Sequence, residues 1–378
     1  MRTAITEMFG IEVPVMAFSH CRDVVAAVSN AGGMGVLGAA WMTPEHLEQE
    51  LAWIDARVGG KPYGVDMVFA AGAAEISLGK DPREILPREQ SDYINGLMSR
   101  DGVPELPREE VEGWYRAYAE NLSFTAEKSE ALLEVALRHP IRFVVSALGV
   151  APAPVIERVH AAGLKFGALV GSARQARKQV DAGVDVIVAQ GAEAGGHTGE
   201  IASMVLWPEV VDAVAPVPVL AAGGIGRGRQ MAAALALGAE GVWCGTVWLG
   251  TVESELNPDL RDILYAARPE DAVITYGYTG KPCRALRSKF TDAWAAGGAP
   301  ATLGVPYQSI LSGEPFRRAE RAHRKDWMTY AAGQVVGQVN EPRSVREVMY
   351  EMLGEYSDTA ERMAIIIEDG APEESDRG

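Results

Sequence analysis

The chain has 378 residues, 48% of them hydrophobic, and a formal net charge of −16 at pH 7. This is more than one average domain, but it is within the range of a single elaborated α/β barrel. The acidic balance argues against a nucleic-acid-binding protein, because phosphate backbones repel negative charge and no basic patch offsets it. No run reaches the roughly 18 apolar residues of a membrane span, and the N-terminus lacks the apolar core of a signal peptide.

The three cysteines, Cys21, Cys244 and Cys283, are far apart and show no metal-ligand spacing. Their odd number and the lack of a CxxC motif favour a reducing compartment and argue against a structural zinc. We therefore expect a cytoplasmic protein that acts on a small molecule, with no metal, nucleic acid or membrane as its partner. The sequence leaves open whether the chain forms a homodimer.

Short apolar runs recur along the chain, most of them followed by a helix-like segment. They predict strands at 13–18, 35–39, 63–69, 142–148, 165–170, 184–189, 218–222 and 241–245. Helices are predicted at 26–31, 44–57, 152–162, 173–182, 205–214 and 227–237, with Thr43 capping the second of them. Eight strands that alternate with helices predict an α/β fold of the (β/α)8 TIM-barrel type over residues 1–250. An open doubly wound sheet is the alternative, but no GxGxxG motif follows the first strand.

Two segments interrupt this alternation. The first is a long insertion after the third strand, residues 70–140, which either covers the substrate side of the barrel or serves as a surface excursion or oligomer contact. The second, residues 251–327, is predicted as a smaller lid subdomain. Its basic run at 284–289 either meets an anionic substrate or forms a solvated helix face. Closing helices are expected at 328–366, and an acidic disordered tail at 367–378.

The most informative stretch, residues 184–198, is a buried strand that ends at Gln190 and continues into a glycine-rich loop carrying His197. Glycines let backbone N–H groups approach a ligand closely, so this loop predicts an active-site edge. A flexible turn with a surface histidine is the alternative. The imidazole of His197 titrates near neutral pH and suits proton transfer. Glu193 could orient it, although a solvent-facing Glu193 is the favoured interpretation.

Two glycine clusters follow the last two predicted strands, at 220–228 and 241–246. In a TIM barrel the loops after strands seven and eight commonly bind phosphate, so the backbone N–H groups of both clusters are predicted to bind an anion, and Thr246 could add a hydroxyl donor. A cofactor anchored there would place its reactive ring beside Gln190 and His197. His20, which follows the first strand, either contacts the ligand or closes a turn.

These residues resemble a known family. Segment 189–199, Ala-Gln-Gly-Ala-Glu-Ala-Gly-Gly-His-Thr-Gly, is similar to the signature of nitronate monooxygenases, formerly called 2-nitropropane dioxygenases. Further motifs of that family are similar to segments 222–228 and 26–35. The spacing between segment 222–228 and segment 243–246 also resembles the family pattern. The resemblance extends to 331–337 but is poor over the insertion. The motifs are specific for the wider superfamily and not for one reaction.

The resemblance implies an FMN-binding TIM barrel with a lid, in which His197 is the catalytic base. By position it assigns the cofactor to Met16, Ala17, Asp66, Gln190, Gly195, Gly196, Gly223, Gly224, Trp243, Cys244, Gly245 and Thr246. It assigns the substrate to His20 and Ser146. The chain departs from the family pattern at 16–21, Met-Ala-Phe-Ser-His-Cys, and has Asp66 where Asn is usual. An ionised Asp accepts hydrogen bonds but cannot donate one.

The implied reaction oxidises an alkyl nitronate or a similar small substrate, with electrons passing through FMN to O₂. One alternative on the same barrel is an NAD(P)H-dependent quinone or enoyl-thioester reductase, with a nicotinamide nucleotide as electron donor and an organic acceptor. A less favoured alternative is a flavin-free isomerase or lyase that binds a phosphorylated metabolite. A non-catalytic ligand sensor is disfavoured, because His197 and both phosphate loops are present.

Overall fold

Eight parallel strands close into a barrel in a computed structural model of the chain, which describes residues 1–69, 86–121 and 126–369. The strands are β1 (Val15–Ser19), β2 (Met34–Gly38), β3 (Tyr63–Met67), β4 (Phe143–Ser146), β5 (Lys165–Val170), β6 (Val186–Gln190), β7 (Gly196–His197), β8 (Val219–Ala222), β9 (Gly241–Cys244), β10 (Ala272–Thr275) and β11 (Cys283–Leu286). The barrel order is β1 to β6, then β8 and β9, and β9 pairs with β1. The predicted TIM barrel is confirmed, because each predicted strand overlaps one barrel strand and the sheet is closed.

Helices cover the outside of the barrel and build the lid. They are α1 (Ala4–Phe9), α2 (Arg22–Asn30), α3 (Pro44–Val58), α4 (Arg88–Arg100), α5 (Arg108–Asn121), α6 (Ala126–Ala136), α7 (Ala153–Ala161), α8 (Ala173–Asp181), α9 (Ser203–Val214), α10 (Gly228–Ala236), α11 (Thr246–Leu249), α12 (Pro258–Ala266), α13 (Lys289–Ala295), α14 (Tyr307–Arg321) and α15 (Val345–Asp369). Thr43 caps α3 as predicted: its side chain accepts a hydrogen bond from His46 N. Within the described ranges, no helix combines the length and apolar character that a membrane span requires.

The pleat of the barrel strands separates two sets of apolar side chains. Alternate residues point inward, where Met16, Met34, Phe143, Val145 and Trp243 belong to one interior cluster. The residues between them point outward and pack beneath the surrounding helices. Helix α1 closes the N-terminal end of the barrel, with the Phe9 ring centroid 4.9 Å from that of Phe143. The C-terminal ends of the strands therefore form the open mouth.

A second apolar core joins the insertion to the lid. It is formed by side chains of α4, α5, α13 and α14, including Ile94, Met98, Phe290 and Ile310, and we call it the lid core. Arg318 of α14 is only 1% exposed, and its guanidinium donates to the carbonyl oxygens of Pro104 and Val103. The described part of the predicted insertion and the predicted lid thus pack together, although the barrel strands β4 to β9 separate them in sequence.

A small antiparallel sheet lies outside the barrel and connects the lid to the mouth. Its order is β10-β11-β7, and β7 pairs Gly196 with Arg284 and His197 with Cys283. This sheet, which we call the lid sheet, therefore carries His197, the predicted catalytic base.

The chain closes with α15, which packs along α10 on the outside of the barrel. Gly228 lets these helices approach, since a Cβ there would lie 1.9 Å from Met352 O. Helix α15 extends to Asp369 and so includes the first residues of the segment predicted as a disordered tail. The rest of that segment, residues 370–378, lies outside the described residues, as do residues 70–85 and 122–125 of the predicted insertion.

Candidate active site

A glycine cradle, defined here as Gly223, Gly224, Gly245 and Thr246, lies where β8 and β9 end. These strands are neighbours, with Ala222 in register with Trp243, so the residues that follow them meet at one point of the mouth. Gly223 and Gly224 have φ of +98° and +70°, a backbone conformation that favours glycine. A Cβ on Gly245 would meet no atom within 4 Å. Gly245 thus borders open space, whereas Gly223 and Gly224 pack against Ser203 and Glu193, and the space beside Gly245 is a suitable place for an anion.

Hydrogen-bond donors in the cradle are free to bind a ligand. Over the described ranges, the N–H groups of Gly224 and Gly245 donate to no protein acceptor. The Thr246 hydroxyl accepts a hydrogen bond of 2.8 Å from Gly333 N, so its own proton remains available for donation. The predicted phosphate ligands are therefore brought together, and the segment that contains Gly333 braces them from the lid side.

His197 is oriented by a backbone carbonyl. Its Nδ1 lies 3.2 Å from Pro282 O in the residue before β11, and a carbonyl oxygen only accepts, so Nδ1 carries the proton. In the neutral ring this leaves Nε2 with a free lone pair. The ring is open to the mouth on one side and crowded by protein on the other, and this partial burial lowers its pKa below the ordinary value of 6.5. The Pro282 carbonyl acts in the opposite direction, and the positive charge of Lys281 lowers the pKa further.

Gln190 and Gly195 hold the loop that leads to His197. Gln190, the last residue of β6, donates a hydrogen bond of 3.0 Å from Nε2 to His197 O. A Cβ on Gly195 would lie 2.7 Å from Ala332 C, so this glycine permits close backbone packing and does not line open space. Gly196 has φ +75° and faces open space instead.

Glu193 neither orients His197 nor points freely into solvent, so both sequence-based interpretations of this residue were wrong. Its carboxylate accepts hydrogen bonds from Ser203 N and from Ser203 Oγ, the latter at 2.7 Å, at the start of α9. Arg284 of β11 donates to Ala192 O at 2.9 and 3.0 Å and to Ala272 O at 2.6 Å. Arg284 therefore clamps the loop to the lid sheet, which neither interpretation of the basic run anticipated.

Aromatic rings line the mouth along β1 and β9. The Phe18 and Trp243 rings stack with centroids 6.2 Å apart, and His20 packs edge-on against Phe18 at 5.1 Å. His20 Nδ1 lies 2.9 Å from Gly38 O, so it donates there and leaves Nε2 bare. Burial lowers the pKa of His20. His20 thus both closes the turn and presents a ring to the mouth.

Several predicted site residues point elsewhere. Met16 belongs to the interior cluster but lies one pleat deeper than Phe18, whereas Ala17 and Cys244 point outward into the core beneath the helices. Burial raises the pKa of the Cys244 thiol to about 12. Ser146 is in register with Met67 and Ala168, which belong to the outer core, so its side chain points away from the mouth. Asp66, by contrast, points inward.

Sequence reasoning missed the roles of Phe18, Lys281, Pro282 and Arg284, although it singled out the basic run that begins at Arg284. Phe18 could have been found by counting the strand period of two from Met16, since both side chains face the interior. The other three come from β11 and the residues before it, far from His197 in sequence, and no local pattern signals that pairing.

The fold and the mouth together define a (β/α)8-barrel enzyme whose mouth carries the glycine cradle and two imidazoles, those of His197 and His20. A family model described as nitronate monooxygenase matches residues 2–355. The chain therefore belongs to the nitronate monooxygenase family and is an oxidoreductase.

Individual relatives agree with this assignment. A Mycobacterium tuberculosis protein named "Putative monooxygenase Rv1533" is 47% identical over 378 residues, which cover 97% of this chain and 100% of the relative. The solved structure of a nitroalkane oxidase from Streptomyces ansochromogenes is 26% identical with a TM-score of 0.77, covering 96% of this chain and 100% of that one. The structure of FabK from Thermotoga maritima is 27% identical with a TM-score of 0.73, covering 96% and 99%.

Proposed function

We propose that the chain is an FMN-dependent oxidoreductase of the nitronate monooxygenase type. It oxidises an alkyl nitronate or a similar small organic substrate with O₂ and uses His197 as its catalytic base. The observation that carries the proposal is the orientation of His197, whose Nδ1 donates to Pro282 O and leaves Nε2 unprotonated at the barrel mouth. A neutral imidazole with a lowered pKa is the form that accepts a proton near pH 7.

The residues present fit FMN. The free N–H groups of Gly224 and Gly245, together with the Thr246 hydroxyl, suit a phosphate and need no cationic side chain in an acidic protein. Trp243 and Phe18 offer apolar faces to a planar ring in the mouth, beside Gln190. When bound, the flavin supplies the redox chemistry, and the protein supplies position and a route for the proton.

His197 handles the proton of the substrate. With a neutral nitroalkane, Nε2 takes the proton from the carbon that bears the nitro group, and the substrate becomes the nitronate anion. The Pro282 carbonyl keeps its hydrogen bond to Nδ1 as the ring becomes an imidazolium. A substrate supplied as the nitronate has already lost this proton. Lys281 places positive charge near the ring, where it attracts an anionic substrate while favouring the neutral imidazole.

Anaerobic stopped-flow absorbance tests the reaction class. The purified protein is mixed separately with an alkyl nitronate, NADH and NADPH. Loss of the oxidised flavin band with the nitronate alone is the expected result. Fast loss of the band with a nicotinamide nucleotide would instead assign the chain to the reductases. A protein that binds no flavin after incubation with FMN would favour the isomerase or lyase alternative.

The variant His197→Asn tests the base. An Asn side chain keeps an N–H that can donate to Pro282 O but has no basic nitrogen, so loop geometry is retained while proton transfer is lost. We expect FMN to stay bound and turnover of a neutral nitroalkane to fall by roughly 10²–10⁴-fold, the usual contribution of a general base. His46→Ala, at an exposed position near the start of α3, is the matched control. Unchanged turnover of His197→Asn would remove this residue from the mechanism.

A further inference from the structure

Asp66 places a carboxyl group inside the barrel near the C-terminal end of β3. It is in register with Gly38 of β2 and Val145 of β4, and Val145 belongs to the interior cluster. Register partners in a parallel sheet point to the same face, so the Asp66 side chain points inward. The residue is only 3% exposed.

Among the residues that the structure describes, the Asp66 carboxyl group has no partner. Its Oδ2 is buried without a hydrogen bond, and within the described ranges no ion pair reaches it. His20 also faces this part of the mouth: its ring packs over Gly38, the register partner of Asp66, and burial lowers its pKa. An ionised carboxylate with neither a cation nor a donor beside it is costly to bury, and protonation relieves that cost. In agreement, burial raises the pKa of Asp66 well above its usual range.

The position of Asp66 relates it to the glycine cradle. Gly245 follows β9, and the inward-facing residues Trp243, Phe18 and Gly38 of β9, β1 and β2 lie between it and Asp66 of β3. A ligand anchored by phosphate in the cradle must extend past the two aromatic rings to reach the carboxyl group. FMN has this shape, with a planar ring system that carries carbonyl and nitrogen acceptors at one end and a phosphate at the other.

We propose that Asp66 is a neutral carboxylic acid at pH 7 and donates its proton in a hydrogen bond to an acceptor atom of the flavin ring. The donor role rests on the proposed function, since FMN is its acceptor. The protonation state does not, because it follows from the surroundings of the carboxyl group alone. Asp66 is then a cofactor-positioning residue that serves as a donor only while it stays protonated.

Infrared difference spectroscopy on the flavin-free protein tests the protonation state. The spectrum of the wild type minus that of Asp66→Asn at pH 7 is expected to show the carbonyl stretch of a protonated carboxylic acid. The corresponding difference for Asp212→Asn, an exposed acid of α9, should show only carboxylate bands. A carboxylate signal for Asp66 would overturn the proposal, whatever the protein binds.

The affinity for FMN tests the donor role. For the wild type we expect affinity to fall about tenfold as the pH rises and Asp66 ionises, the loss of roughly one hydrogen bond. Asp66→Asn keeps an N–H donor, so its affinity should match the wild type at pH 7 and not show this loss at higher pH. FMN binding with the same pH dependence in both proteins would overturn the donor role and leave the proposed function intact. Absence of FMN binding in either protein at any pH would reject the proposed function and the donor role together, while the infrared result would still decide the protonation state.

Discussion

At the scale of one residue, His197 shows what a sequence pattern can predict and what it cannot. The histidine and Gln190 were predictable, because a buried apolar run that stops in a glycine-rich loop marks the end of a barrel strand. Its partners were not, because Pro282 and Lys281 reach it through antiparallel pairing across 85 positions of sequence. The tautomer of His197, and so its capacity as a base, depends on that distant carbonyl.

The charge of Lys281 leads to a prediction about pH dependence. Proton abstraction needs neutral His197, so kcat/KM should fall as the pH drops through the pKa of the ring, which lies below 6.5. Removing a positive charge makes protonation easier, so Lys281→Met should move this acid limb to higher pH. The full pH profile of kcat/KM for both proteins measures the shift. Lys178→Met, an exposed lysine of α8, should leave the limb in place, and an unmoved limb in Lys281→Met would contradict the prediction.

Ser146 leads to a prediction that a substitution leaves activity unchanged. It was predicted to contact substrate, but its hydroxyl points away from the mouth, and its buried Oγ has no hydrogen-bond partner in the described part of the chain. A buried hydroxyl without a partner does not stabilise the fold. Ser146→Ala should therefore leave kcat/KM unchanged and the free energy of unfolding equal or higher by up to about 1 kcal/mol. A steady-state assay and urea denaturation check this, and a large loss of activity would return Ser146 to the site.

At the scale of elements, the barrel strands were the most predictable part of the chain. Parallel strands buried on both faces form continuous apolar runs in the sequence, and this is why all eight barrel strands could be located from those runs. The glycine clusters after β8 and β9 were found for a related reason, since glycine at a strand end indicates close backbone approach. The direction of each side chain needs the register, so the outward orientation of the Ala17, Cys244 and Ser146 side chains could not be predicted from the apolar runs.

Gly245 allows a test of the cradle that does not disturb the fold. Its φ is −124°, which other residues adopt readily, and a Cβ there meets no protein atom within 4 Å. Gly245→Ala should leave the unfolding free energy unchanged or slightly raised, while its methyl group takes up space that the phosphate needs. We expect FMN to bind at least tenfold more weakly, as measured by fluorescence titration. Gly304→Ala also enters open space but lies in the lid, and equal FMN affinity of the two variants would place the phosphate elsewhere.

At the scale of the whole molecule, the barrel could be predicted from the sequence and the lid core could not. Neighbouring strands and helices of the barrel are mostly close together in sequence. The lid core is built from two segments whose contacts span about 200 positions, such as the hydrogen bond from Tyr93 Oη to Ala293 O. No pattern within either segment shows that α4 and α5 share a core with α13 and α14.

Arg318 should be the main polar link of the lid core. Besides Pro104 O and Val103 O, it donates to Asn95 Oδ1 at 2.8 Å and to Ser99 Oγ at 3.2 Å. Arg318→Leu removes the donor from all four acceptors, of which Val103 O is buried, and should lower the free energy of unfolding by roughly 3 kcal/mol, measured by urea denaturation. Arg321→Leu removes an exposed ion pair to Glu110 from the same helix and should have little effect. Equal effects of the two variants would show that the lid core does not depend on Arg318.

The lid core also has a consequence for synthesis of the chain on the ribosome. Tyr93 emerges from the exit tunnel 200 residues before Ala293, its partner in the lid core. At 5–20 residues per second, this interval lasts roughly 10–40 s. Throughout that time Ile94, Met98 and Val111 have no partner helix to cover them, while the barrel strands that follow are already being made. The nascent insertion is thus the part of this protein most exposed to chaperone binding and to aggregation before the last third of the chain arrives.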